Sequence, residues 1–296
     1  MLKTVFVPGL FVFLWSTGFI GSKIVMQSAP PLTFLALRMV LAAMVLAPLL
    51  IWFKSVWPQK KVNYLHAACV GALVHGVYLG GVFWAISLGT GAGLSALIVG
   101  LQPLLTLCLA VVFLKERLYR MKIVGVVTGL IGFDIVISER ISVDELSIAT
   151  LSLCVASLLG ISIGTVYQKN ISADIELLPS VFMQYTGAAA LLLPCAMLFE
   201  TPTIDWNPEF ILATIWLVFG LSIGAVVLLM LLIRSADAGN VASLFYLVPP
   251  LTALEAYLLF GEQLSGLAIT GTIICVAGVA MVLHSSDRLS RTDKKS

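Results

Sequence analysis

Charge is scarce in this chain. Asp, Glu, Lys and Arg make up 11% of its 296 residues, where a soluble domain carries roughly 25%. Apolar residues make up 60%, and mean hydropathy is +1.07. A soluble fold of this size leaves too much area facing water to hide that share. The composition excludes a cytosolic enzyme, a disordered protein and a nucleic-acid binder. The net charge of +2 is too small to imply an acidic partner. Cysteine is also sparse and unpaired. Cys69, Cys108, Cys154, Cys195 and Cys275 are odd in number and all lie in apolar runs, so they give neither a disulfide framework nor a metal site. There is no Gly-rich phosphate loop, no histidine pair at metal spacing and no Gly-x-Ser-x-Gly elbow. The expectation is therefore no catalytic residue, no metal and no cofactor, and no ATP-driven step encoded in the chain.

What is present is long apolar runs, which exclude the short alternating segments of a β-barrel. A helical span needs about 20 residues. Breaking the chain at charges and turn residues gives ten, near 4–22, 33–53, 65–87, 92–113, 121–138, 147–167, 180–199, 210–232, 239–260 and 265–284. The first follows Lys3 but shows no small-residue cleavage site, so it is expected to be a retained span. With the N-terminus inside, the inner segments hold 14 of the 17 Lys and Arg, whereas the outer loops hold only Lys23 and Arg140. Positive loops stay cytoplasmic, so both termini are expected there, the polar tail 285–296 included.

The two halves are alike. Residues 93–118 and 239–264 align without a gap at an offset of 146, pairing Gly93 with Gly239, Pro103 with Pro249, Thr106 with Thr252 and Glu116 with Glu262. The same offset pairs Ser16 with Ser162, Gly18 with Gly164, Lys23 with Lys169, Pro48 with Pro194, Gly125 with Gly271 and Gly132 with Gly278. The expected fold is an all-α polytopic membrane protein of ten transmembrane helices in two five-helix repeats, 1–142 and 143–284. Five is odd, so the second repeat enters the bilayer from the opposite side. Inverted repeats can exchange conformations around a midplane site, which is alternating access.

The resemblance to a known group rests on these residues. Ten spans in two five-helix repeats resemble the drug/metabolite transporter superfamily. The run Leu14-Trp15-Ser16-Thr17-Gly18-Phe19 resembles the start of an EamA domain. So do the two spans that end in a glutamate, at Lys115-Glu116-Arg117 and Gly261-Glu262-Gln263. The resemblance implies two EamA domains, export of small metabolites or amino acids, and a central cavity among spans 1, 3, 4, 6, 8 and 9.

Polar groups inside hydrocarbon are costly and are site candidates by default. Glu255, Arg38 and Asp134 are the intramembrane charges, expected at similar depth in the outer third. Glu255 is a candidate for substrate charge or proton coupling. Arg38 is a candidate outer gate, with its mate Gln184 at the inner mouth. Alternatively, Arg38 and Asp134 snorkel to the headgroups. Pro103, Pro249 and Pro250 are expected mid-span, where each frees a backbone carbonyl and mirrored kinks suit gating. Trp15, Ser16, His75, Tyr78, Trp84, Ser95, Gln102 and Tyr246 are the candidate cavity lining: aromatic walls with a few polar groups suit amphiphilic organic substrates. For each, packing is the competing reading. Trp84 also reads as an interface anchor, and Glu116 and Glu262 as loop-pairing residues.

The sequence thus reads as a secondary transporter exporting small organic metabolites such as amino acids, with a small-molecule substrate and the lipid bilayer as partners. Proton coupling and the choice between monomer and homodimer are left open. The alternatives are a proton-coupled drug or cation antiporter, an exchanger of metabolites or nucleotide sugars, and, remotely, a membrane-embedded enzyme. The first span of each repeat, spans 1 and 6, holds no carboxylate for the antiporter, and Arg38 is the only intramembrane basic residue available to a phosphate exchanger.

Overall fold

The structure is a computed structural model describing residues 2–89, 95, 98–116, 118–138, 147–171, 174–260 and 266–292. Every element among these is helical. The first repeat holds α1 (Leu2–Val25), α2 (Pro31–Trp52), α3 (Lys61–Ser87), α4 (Gln102–Leu114) and α5 (Arg120–Ser138). The second holds α6 (Ile148–Ile171), α7 (Leu177–Phe199), α8 (Pro208–Ser235), α9 and α10 (Gly266–Thr292). α9 is composite, with Ala238–Ser243 helical, Leu244–Leu247 a tight 3₁₀ turn and Val248–Phe260 helical again. Six of these helices are long and apolar enough to cross a membrane, and Gln102–Leu114 and Ile269–Leu283 are shorter apolar stretches. The boundary near 142, Arg140, Arg117 and Glu262 lie outside the described residues. The final helix runs on to Thr292, into the stretch expected as a polar tail.

The offset of 146 holds in three dimensions. The helix starts Leu2, Pro31, Gln102 and Arg120 recur at Ile148, Leu177, Val248 and Gly266, and Lys61 recurs one residue late, at Pro208. The irregularities recur as well. α3 opens into a π-helix at Ala72–Tyr78, and α8 does so at Leu217–Ala225, over the equivalent residues. Helical residues 98–99 turn at 100–101 before α4 begins, at the level where α9 tightens to a 3₁₀ turn.

These breaks correct one expectation. Pro103 and Pro249 do not kink a continuous helix from its middle. Pro103 stands in the first turn of Gln102–Leu114, and Pro249 and Pro250 stand in the first turn of Val248–Phe260. A first-turn residue has no intrahelical partner for its N–H, so proline costs nothing there. The regular α-helix is interrupted just before each proline instead, by a turn at 100–101 and by the 3₁₀ stretch Leu244–Leu247.

Two mirrored helix pairs flank the bundle. α5 crosses α10 backbone to backbone. A Cβ added at Gly132 would lie 2.7 Å from the Gly271 carbonyl oxygen, and one at Gly278 would lie 2.7 Å from that of Gly125, the mirrored contact. The Cys275 thiol lies 3.6 Å from the Gly129 carbonyl, a pair exactly one repeat apart in register, so the pseudo-two-fold axis passes here. α2 and α7 form the other pair. Between them, Gly18 of α1 packs on Leu221 of α8, while its mate Gly164 of α6 packs on Val74 of α3.

The glycine crossing gives a test. A side chain at position 278 would meet the Gly129 backbone nitrogen at 2.3 Å, and backbone cannot yield as a side chain can. Gly278→Leu should cost at least about 1–3 kcal/mol of overpacking and lower the melting temperature of the purified protein. Gly9→Leu, at a site with nothing within 4 Å, should leave it unchanged.

Candidate functional site

The π-helical stretches carry polar side chains into the interior, His75 from α3 and Ser222 from α8. π-turns widen a helix locally and re-aim its side chains, which is why they recur at functional sites. Arg38 of α2 reaches in, only 3% exposed, and its Nε donates to Ser222 Oγ at 2.8 Å. The Tyr185 hydroxyl of α7 donates to the Ser222 carbonyl. The His75 ring lies 5.1 Å from that of Tyr185, and its Nε2 is buried without a partner. Arg38 therefore turns toward the middle of α8, into the bundle. Tyr78, one turn beyond His75, is also buried.

The two halves differ around this cluster. α3 meets α7 closely: a Cβ at Gly71 would lie 1.9 Å from the Gln184 carbonyl oxygen, and one at Gly187 would lie 2.3 Å from that of Ala68. Their mates across the repeat are Leu217 and Leu41. The Leu217 side chain packs on Gly21 of α1, and on this side of the bundle Arg38 of α2 reaches Ser222 of α8. Gln184, the mate of Arg38, is fully buried and ties α7 to α6, with Nε2 2.8 Å from Gln168 Oε1 and 3.1 Å from Ser180 Oγ.

A second cluster joins α1 to α9. Ser16 Oγ lies 2.5 Å from Glu255 Oε1 and 2.7 Å from the Phe13 carbonyl. One hydroxyl has one proton, so it cannot donate to both. With Glu255 ionised, the Ser16 proton turns to the carboxylate. With Glu255 protonated, the acid donates to Ser16 and the serine proton returns to Phe13. The other oxygen, Glu255 Oε2, is buried and unpaired. Trp15 closes this cluster through Phe11 and Phe245, at ring separations of 5.4 Å and 5.2 Å. Tyr246 packs over Gly129, its ring 5.8 Å from Phe133 and its hydroxyl unpaired. No hydrogen bond or ion pair among the described residues joins Arg38 to Glu255.

The remaining candidates are dispersed. Gln102 and Thr106 of α4 and Ser162 of α6 are buried with unpaired polar atoms. Ser95 accepts from the Cys154 thiol at 3.6 Å. Trp84 leans on Phe199 at 4.8 Å, half-buried near the end of α3. The asparagine Asn207 caps α8, accepting from Phe210 N–H at 2.8 Å, and at the same end of the bundle Glu200 caps α2, accepting from Leu32 and Thr33 N–H at 2.9 Å and 2.7 Å. A crevice of about 540 Å³ between α1, α9 and α10 has Pro8, Val12, Leu251, Leu254 and Ile273 among its lining. None of the polar candidates lines it, so it fits an acyl chain better than a polar solute. No group of three or more potential metal ligands occurs among the described residues.

One ionic knot, not anticipated from the sequence, ties the halves together at the other end. Lys122 of α5, 1% exposed, lies 3.2 Å from both Glu116 and Asp237. Glu116 also accepts from Ala238 N–H at 2.7 Å, capping the start of α9. Beside it, Lys169 of α6 donates to the Ile233 and Ala236 carbonyls at 2.6 Å and 2.7 Å, capping α8. Removing one member of a buried pair leaves the other charge uncompensated, at about 3–5 kcal/mol. Lys122→Met should fall in the lower part of that range, because Asp237 is half exposed and regains water. Its melting temperature should drop well below that of Asp237→Asn, and equal melting temperatures would remove the knot from the account.

With this geometry in place, comparison with known proteins is direct. The profile of the EamA-like transporter family matches residues 4–138 and 148–284, one match per repeat. The chain belongs to the EamA-like transporter family and is a multi-pass membrane transporter. It is 24% identical to the uncharacterized transporter YvbV of Bacillus subtilis (strain 168), over 95% of this chain and 91% of that one. It is 25% identical to a probable amino-acid metabolite efflux pump of Salmonella typhimurium (94% and 93% covered) and to one of Escherichia coli K12 (91% and 91%). A solved crystal structure of another protein superposes with a TM-score of 0.80 at 19% identity, covering 95% of this chain and 97% of that one, a likeness of fold alone.

Proposed function

We propose that the protein exports small zwitterionic or anionic metabolites, amino acids foremost, by alternating access. The observation that carries this is the mirrored irregularity of the halves. Both π-stretches and both breaks before proline recur at one offset, so each half has the same yielding points in opposite orientation. Rocking of two such halves about a midplane site exposes it to each side in turn. Unpaired polar atoms on α3, α4, α6 and α9 offer an amphiphilic solute its partners, with Trp15, Phe245 and Tyr246 as aromatic walls. The names of the Salmonella and Escherichia relatives support amino-acid metabolites as the class.

The side assignment follows from the charge count. The end tied by Lys122 carries Lys115, Arg120, Lys169 and Arg234 and is read as cytoplasmic, with both termini. The conformation then has its cytoplasmic end tied shut. Reporter fusions at Lys61 and Ser290 should give a cytoplasmic signal and a fusion at Asp205 an external one. A cytoplasmic signal at Asp205 breaks the ten-span reading.

Glu255 is the proposed coupling group, because its contact with Ser16 has a protonated and an ionised form of nearly equal geometry. In proteoliposomes, Glu255→Gln should abolish accumulation driven by a pH gradient while leaving expression intact. Normal pH-driven accumulation by that variant would make Glu255 a packing residue. The cation-antiporter alternative predicts instead that cationic drugs, and not amino acids, are accumulated.

A further inference from the structure

Arg38 is a buried cation, 3% exposed, on a helix long and apolar enough to cross a membrane. A guanidinium has five N–H donors. One of them, Nε–H, goes to Ser222 Oγ at 2.8 Å, and no carboxylate forms an ion pair with Arg38 among the described residues. A single neutral hydroxyl does not compensate a charge removed from water. The surroundings are built rather than incidental. Ser222, Tyr185 and His75 are all buried, Tyr185 holds the Ser222 carbonyl, and the unpaired His75 Nε2 lies on the ring beside Tyr185. Two of these four side chains come from π-stretches, the yielding points of the halves.

Anchoring through Nε leaves the terminal Nη fork as the free edge. That edge matches the two oxygens of a carboxylate. One cation balances one monoanion. A phosphate monoester carries a second charge, and the other buried Lys or Arg among the described residues, Lys122, is ion-paired in the knot at the end of the bundle.

We propose that Arg38, held by Ser222 and flanked by His75, is the subsite that binds the carboxylate of the transported solute. It rests on the reading of the bundle as a transport pathway, and it deepens that reading by naming which end of the solute is recognised. Arg38 binds, Ser222 positions it, and His75 supplies a further polar atom. The mate of Arg38 is the neutral Gln184 and that of Ser222 is Gly76, so there is one such subsite per chain, not two.

The test uses the full chain purified in detergent at fixed ionic strength, with melting temperature as the readout. Propionate, benzoate and L-phenylalanine are the carboxylate probes, propionamide, benzamide and L-phenylalaninamide their matched amides, and chloride the anion control. Carboxylates should raise the melting temperature saturably, and amides and chloride should not. Arg38→Gln should lose the shift, Arg38→Lys should weaken it roughly tenfold by losing the planar fork, and Ser222→Ala should weaken it with the charge intact. If Arg38→Gln does not fold, the wild-type comparison and Ser222→Ala decide. Equal shifts from amides, a chloride shift like that of carboxylates, no carboxylate shift, or a saturable shift that survives in Arg38→Gln would each overturn the assignment. Counterflow of L-phenylalanine and L-leucine in proteoliposomes separates the two readings. A protein that shows the carboxylate shift but no amino-acid counterflow keeps the subsite and loses the amino-acid assignment.

Discussion

Hydrocarbon offers no hydrogen bonds, and that constraint organises this molecule. Every backbone group in a span must be satisfied within the protein, which is why the described elements are all helices and why each departure from a regular helix has to be covered. The departures here are covered in pairs. The two π-stretches lie against partner helices, α3 against α6 and α7, and α8 against α1 and α2. The two breaks before proline put a residue that lacks an N–H where none is needed. Side chains face the same constraint. Polar atoms that would be unremarkable at a water-facing surface become, at this depth, either partners to one another, as Gln184 and Gln168 are, or orphans, as Glu255 Oε2 and His75 Nε2 are.

Symmetry sets the frame and its violations set the chemistry. Gly125, Gly132, Gly271 and Gly278 obey the repeat, and they bring α5 and α10 together across the axis. Gly71 and Gly187 break it, since their mates are Leu217 and Leu41. The missing side chains let α3 close on α7, while in the mirrored pair Arg38 of α2 reaches Ser222 of α8. Glu255 breaks it too, because its mate is Leu109. A strictly symmetric transporter would carry two equivalent charges per site. Here Arg38 and Glu255 stand in separate clusters, each with an uncharged mate, Gln184 and Leu109.

Much of the architecture was legible because it is a one-dimensional signal. Long apolar runs, alternating loop charge and the offset of 146 gave the helices, and the helix starts follow that offset to within a residue. Pro103 and Pro249 were legible as mirrored but not as helix starts, since proline fits a kink and a first turn equally by sequence. Trp15, Ser16 and Glu255 were singled out and are brought together. Tyr185 and Ser222 were not, because a hydroxyl in an apolar run is ambiguous until its neighbour on another helix is known. Lys122 was counted only as an inner positive charge. Its role depends on Glu116 and Asp237, the latter 115 residues away, and no local pattern announces such a meeting. Rise per residue gives the position of Arg38 and Glu255 along their helices. It does not give the direction of a long side chain, and Arg38 turns inward.

The ionic knot at the tied end has an asymmetry of its own. Glu116 and Lys169 have mates in Glu262 and Lys23, so the capping part of the knot is repeated in sequence. Lys122 and Asp237 have mates in Ala268 and Gly91, so the ion-paired part is not. Two halves that rock between mirrored conformations would be balanced if their locks were equal. Adding an ion pair to one end stabilises the conformation in which that end is shut. A ligand shifts such an equilibrium only by its differential affinity for the two states. A solute arriving at the tied end must therefore help to open that lock. A transporter biased in this way favours the conformation in which the Lys122 end is shut, and the buried ion pair sets how much differential affinity a solute must bring to open it.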